Sequence, residues 1–244
     1  MSTATNTSKA TEVATSFLDE FAGSGLETIT QEAVSTGYLS MVQPGGQAVA
    51  AGHNPGSWRN SATDENYGEV VRVVPVAFKI IWAERDTQGM TVARYEPNSI
   101  PVNMEPVAPG KKGYPKMINP ATRNEVRELF VYAVVLPEHK DAGVLLFSPS
   151  VSSMRACKAW NSQLRGQLLP NGSPAPIFAY SWDLSLELIP NPMQPANKMA
   201  HLSRVQRDVL VDERLFTGTI KPQLTAVTKT VLAITADDSL SEEA

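Results

Sequence analysis

Four short stretches of this chain set an aromatic ring close to a basic side chain. "SWR" joins Trp58 to Arg59, and "FKIIWAER" holds Phe78, Lys79, Trp82 and Arg85. "VARYEP" supplies Arg94 and Tyr95, and "GKKGYPK" supplies Lys111, Lys112, Tyr114 and Lys116. Recognition of an unpaired nucleic-acid strand needs both residue types. Cations follow the phosphates, and flat rings stack on bases at roughly 1–3 kcal/mol per base. Trp58, Arg59, Lys79, Arg94, Tyr95, Lys111, Lys112, Tyr114 and Lys116 are therefore candidate contacts, with Trp58, Tyr95 and Tyr114 as stacking rings. In a strand, half of the aromatics must face the core. Phe78 and Trp82 are expected to pack on one face with Val74 and Val76, leaving Lys79 on the other. In "GKKGYPK", Gly and Pro leave Tyr114 without a secondary-structure face to bury it. A plain solvated loop is the other reading of that stretch.

Catalytic constellations are lacking. His53, His139 and His201 are far apart, with no ligand partner at metal-site spacing, and no metal or cofactor is expected. Cys157 falls on an apolar helical stripe, which points to packing and not to nucleophilic chemistry. "GGQAVAAG" lacks the Lys-Ser/Thr ending of a phosphate-cradling loop. No GxSxG, HExxH or CxxC occurs. The expectation is a binding protein and not an enzyme.

The charges are segregated. The chain of 244 residues has 21 basic and 25 acidic side chains, a net of −4. Asp237, Asp238, Glu242 and Glu243 crowd the last eight residues, and the first 37 carry one base against five acids. The stretch between them is mildly basic. An acidic tail can compete with a polyanion for such a surface, or simply keep the protein soluble. The expected organisation is a flexible arm over 1–24, one domain over 25–232 and an acidic disordered tail over 233–244. One cysteine excludes an intramolecular disulfide and fits a reducing compartment. With no secretory signal and no span-length apolar run, a cytoplasmic protein without membrane contact is expected.

The elements that must position these residues are mostly β. Glu69–Trp82 is a β-branched run, in which Pro75 demands an edge or a bulge. Met90–Tyr95 reads as its returning strand. Residues 97–124 hold many prolines and little periodicity, so they read as a long loop. Two further strands are expected at Leu129–Leu136 and Gly143–Phe147. One helix follows: Ser148, Ser150 and Ser152 offer capping oxygens, Gly166 suits the stop, and Val151, Met154, Cys157, Trp160 and Leu164 recur at helical spacing. Its other side carries Arg155, Lys158 and Arg165, a second set of candidate DNA contacts. Ile177–Ile189 alternates as a strand, and His201–Val211 reads as a strand or a short helix. The class is mostly β with one main helix, either an elaborated OB-fold Greek-key barrel or a β-sandwich with an inserted helix.

The segments "NPGSWRNSATDENYGEVVRVVPVAFKIIW", "LFVYAVV", "LLFSPSVSSMRACKAWNSQLRG" and "PIFAYSWDLSLELIPN" resemble phage-encoded single-stranded DNA-binding proteins of the OB-fold type. The likeness spans roughly residues 25–190. It implies sequence-independent binding of single-stranded DNA in phage replication or recombination, inside an infected bacterial cell. It also implies contacts with replication or recombination proteins, and an acidic tail that competes with DNA. Tails of that kind commonly end in an aromatic residue, whereas this chain ends in Glu-Glu-Ala. A virion structural or assembly protein is the alternative.

Overall fold

The computed structural model of the chain describes residues 37–88, 91–95, 100, 103–105, 116–191 and 194–224. Two antiparallel sheets and one main helix account for most of them, so the class is mostly β as expected. A small sheet holds β1 (Leu39–Met41), β2 (Trp58–Asn60) and β3 (Asn66–Gly68), with a four-residue helix α1 (Gln47–Ala50) between β1 and β2. The large sheet holds β4 (Val70–Arg85), β5 (Thr91–Tyr95), β6 (Asn103–Glu105), β7 (Lys116–Ile118), β8 (Glu125–Val135), β9 (Val144–Phe147), β10 (Tyr180–Asn191) and β11 (Gln194–Leu210). Its main path runs β11-β10-β4-β8-β7-β6, with β5 on β4 and β9 on β8. The segment expected to be one long loop thus contributes a short strand pair, β6 with β7.

β4 is the axis of the molecule, and Pro75 explains its shape. β10 pairs with β4 only as far as Val73, and β8 takes over from Val74. Pro75 has no N–H to give a ladder, and it sits where the partner changes, inside a register shift between Pro75 and Ala77. The extra residue reverses the alternation. Val71 and Val73 face the first core before the shift, and Phe78 and Ile80 face it afterwards. Val74 and Val76 face the second core, followed by Ile81 and Ala83. The expectation that Phe78 shares a face with Val74 and Val76 is therefore corrected: the bulge puts Phe78 on the opposite side from them. Lys79 does lie opposite Phe78, paired with Val131 and half-buried.

The first core lies between the large sheet, the small sheet and the main helix α2 (Met154–Gly166). Tyr132 stacks on Trp160 at 4.6 Å between ring centroids and on Phe147 at 5.8 Å. Cys157 and Trp160 are fully buried, and Met154 and Leu164 flank them, so the helical stripe holds. α2 ends at Gly166 as expected. Its start differs: a single 3₁₀ turn, Val151–Ser153, precedes it, and no serine hydroxyl caps it. The Ser153 hydroxyl instead accepts the Leu202 N–H at 3.1 Å, fastening the helix to β11. Beside it, the Gln43 side-chain amide accepts the Ala200 N–H at 2.9 Å and donates to the Ala200 carbonyl at 3.2 Å. The second core lies on the other face of the sheet, where Leu215, Phe216 and Ile220 pack after a short helix α3 (Glu213–Leu215). β11 extends over Gln194–Leu210, longer than the strand-or-helix reading of His201–Val211.

Candidate nucleic-acid interface

The residues selected from sequence part into three groups. Lys111, Lys112, Tyr114, the tail carboxylates Asp237, Asp238, Glu242 and Glu243, and the arm over 1–24 lie outside the described residues. Lys116 opens β7.

A second group lies on the two sheets. Trp58 corrects the expectation of a stacking ring, because it is 0% exposed. Its indole N–H donates to the Leu184 carbonyl at 3.1 Å, and Phe147 meets its ring edge-on at 5.4 Å. Neither face of the ring is open to a base; β2 alternates, and Trp58 takes its inward position. Arg59, half-buried beside it, donates to Asp64 at 2.7 Å and holds that carboxyl below its ordinary value. Arg94 and Tyr95 sit on β5, both half-buried, with Arg94 across from Ala83 and Tyr95 across from Trp82.

Tyr95 belongs to a cage around Glu84, a carboxylate only 1% exposed. Glu84 Oε2 accepts from the Tyr95 hydroxyl at 2.5 Å and from Asn119 Nδ2 at 2.6 Å. Oε1 accepts from the Thr122 hydroxyl at 2.5 Å and from Asn124 Nδ2 at 2.8 Å. Burial pushes the Glu84 pKa up, but these four donors outweigh it and bring the group down to about 2. The turn from Asn119 to Asn124 is thereby clamped to the β4–β5 hairpin. Burial and the Glu84 hydrogen bond both raise the Tyr95 pKa. Its hydroxyl is committed to holding the hairpin.

The third group is Arg155, Lys158 and Arg165, all exposed on α2. At 100° per residue they fall within one arc, opposite Cys157, Trp160 and Leu164. Ala159, Ser162, Gln163 and Gly166 complete that exposed face. From Ala142 to Trp182 the chain contains no acidic residue at all. β11, packed against α2, extends the same surface. Its ladder sets Arg207 opposite Trp182 and Lys198 opposite Pro190. The parity that turns Trp182, Leu184 and Leu186 into the first core thus puts Arg207 and Lys198 on the side of α2. The Arg207 guanidinium lies 4.8 Å from the Tyr180 ring centroid, and the Tyr180 hydroxyl donates to the Leu168 carbonyl at 2.8 Å. Arg155, Lys158, Arg165, Lys198 and Arg207 form no ion pair among the described residues. Arg204, in contrast, pairs with Ser185 and faces the other way.

Ser162, Gln163, Gly166, Gln167, Trp182 and Arg207 line an open depression of about 510 Å³ between the end of α2 and the β10–β11 pair. Sequence reasoning missed Arg207 and Lys198. No sequence signal could have joined them, because plain alternation pairs Lys198 with Arg204, and only the register shift between Arg204 and Leu202 brings Lys198 and Arg207 to one face. Cys157 takes no part, since burial pushes its thiol up to about 12. Among the described residues no group of His, Cys, Asp and Glu could hold a metal ion, and no helix is long and apolar enough to cross a membrane.

The fold and this surface define a mostly β protein with one main helix whose exposed face carries three bases. Residues 6–192 match the family described as Pam3 phage gp34-like protein. The chain belongs to that bacteriophage family, and the matched span includes α2 but stops before β11. No curated protein and no solved structure matches it.

Proposed function

We propose that this protein is a non-catalytic, phage-type single-stranded DNA-binding protein with an elaborated OB-fold. It binds without sequence preference and serves replication or recombination in the cytoplasm of the infected host. The observation that carries the reading is the exposed face of α2, with Arg155, Lys158 and Arg165 on it and no carboxylate between Ala142 and Trp182. Phosphates track this face by counterion release, and Arg207 and Lys198 continue the track onto β11. Lys111, Lys112, Tyr114 and Lys116 supply a further contact, and the carboxylates over 237–244 compete with DNA for the same surface. Replication or recombination proteins are the expected protein partners.

The test is a fluorescence-anisotropy titration of the full chain against single-stranded and duplex oligonucleotides over a salt series. Single strands bind more tightly, with a slope near −0.7 per neutralised phosphate. Equal affinity for duplex, or no binding at the lowest salt, sinks the reading. Deleting residues 237–244 tightens binding most at low salt, where screening is weakest.

A second reading, a virion structural or assembly protein, has one observation in its favour. Val209 and Leu210, at the end of the edge strand β11, are 56% and 44% exposed. Sedimentation of the free protein at rising concentration separates the two: ordered self-association without DNA affinity favours the second.

A further inference from the structure

Two of the residues that line the depression beside α2 each carry a buried polar atom that folding leaves without a partner. Trp182 is 1% exposed, and its indole N–H has no acceptor among the described residues. Gln167 is 3% exposed; its amide N–H donates to the Pro176 carbonyl at 2.7 Å, while its carbonyl oxygen accepts nothing. Buried polar groups are nearly always satisfied, so a donor and an acceptor orphaned on two residues that line one depression ask for an occupant. The rest of the lining gives that occupant a charge. Arg207 stands on the rim, held against Tyr180, with Ser162 and Gln163 beside it and no carboxylate in the lining. A volume of about 510 Å³ falls within the range of small-molecule sites.

An occupant that satisfies both residues must offer one acceptor and one donor, and the cation in the lining favours one that also carries negative charge. Every nucleobase offers such a pair on its Watson–Crick edge: N1 and N6–H of adenine, N3 and N4–H of cytosine, O4 and N3–H of thymine, O6 and N1–H of guanine. In duplex DNA that edge is already used. We propose that the depression is a nucleotide subsite, in which Trp182 and Gln167 take the Watson–Crick edge of one unpaired base and Arg207 takes its phosphate. The subsite rests on the single-strand reading above and deepens it. It gives selectivity for unpaired strands without preference among the four bases. Both orphaned atoms are buried beneath the surface of the depression, so taking a base requires the lining to shift and uncover them. A peptide amide offers a similar pair of atoms, but it brings no anion for Arg207.

The experiment follows the indole N–H of Trp182 by NMR in the ¹⁵N-labelled full chain, the resonance being identified by its loss in Trp182→Phe. The probes are dCMP, dTMP, deoxyribose 5-phosphate and N-acetylglycinamide. Both nucleotides are expected to shift it, while the baseless sugar phosphate leaves it in place. A shift with N-acetylglycinamide and none with the nucleotides, or no shift with any probe, overturns the subsite. In parallel, wild type, Trp182→Phe and the rim variant Arg207→Ala are titrated with oligothymidylate and with an abasic strand of equal length. Trp182→Phe is expected to weaken oligothymidylate binding about tenfold, one hydrogen bond's worth, and to leave the abasic strand unaffected. Arg207→Ala weakens both. If wild type binds oligothymidylate and Trp182→Phe binds it equally well, the subsite falls and DNA binding stands. If wild type binds no strand at all, the DNA-binding reading falls and takes the subsite with it.

Discussion

Two regions concentrate the basic side chains, and the structure treats them in opposite ways. Around the β4–β5 hairpin, Lys79, Arg85, Arg94 and Arg127 lie on strands and are half-buried. Arg127 is held by Glu125 at 2.9 and 3.1 Å, and Arg85 faces Glu125 across the ladder. On α2 and the adjoining side of β11, Arg155, Lys158, Arg165, Lys198 and Arg207 are exposed and form no ion pair among the described residues. Cross-strand neighbours impose a partner on almost every strand residue. A helix face turned to solvent imposes none. The lesson is that base density says little about the electrostatic potential offered to a ligand; the position of the nearest carboxylate decides it.

The sharpest way to break this comparison is at Glu84. Glu84→Ala removes the shared acceptor of four donors, that of Asn119 buried, and loss of stability of about 3 kcal/mol is expected in urea denaturation. DNA affinity of the protein that remains folded should be unchanged; a large loss of affinity would make the hairpin part of the interface. The same carboxylate gives a pH signature. Its folded pKa is about 2, against an ordinary 4.5, so its contribution is complete above pH 4.5 and is lost as pH falls towards 2. The melting temperature of the wild type should therefore decline through that window, and Glu84→Gln should decline less. Equal slopes would mean that other carboxylates carry the acid sensitivity.

Next in size is the triple variant Arg155→Ala, Lys158→Ala, Arg165→Ala. It should flatten the salt slope of single-strand binding by about 2, with each change within about 0.5 kcal/mol in stability. An unaltered slope would remove α2 from the interface. Smallest is Trp58→Phe, which keeps the ring in the core and loses the hydrogen bond to Leu184. Stability should drop by about 1 kcal/mol, and binding should not change. A binding defect without a stability defect would restore Trp58 as a contact.

Much of this was legible in the residues. The helix over 154–166 could be read because its apolar stripe and its basic face obey one period, and Gly166 marks its end. The strands were visible as β-branched runs. The phase of β4 was not, because Pro75 announced a bulge without saying which residue would be extra, and one residue decides which face Phe78 takes. Trp58 was misread because "SWR" looks the same whether the ring points inward or outward; only Phe147 and Leu184, distant in sequence, bury it. The Glu84 cage was invisible for the same reason, since its donors come from β5 and the turn after β7. Arg207 was missed because its value depends on which side of β11 carries α2.

The Gln43 amide has a consequence for how copies of the protein behave when crowded. β11 is a marginal strand, and a long bare margin invites the strand of another molecule to dock and the sheet to grow without limit. By occupying both the N–H and the carbonyl of Ala200, with Ser153 taking the N–H of Leu202, two side chains remove the rungs on which such a zipper would start. The protein can then accumulate without polymerising through this stretch of its rim. Gln43→Ala would expose the rungs again, and slow fibril-like aggregation would be the sign.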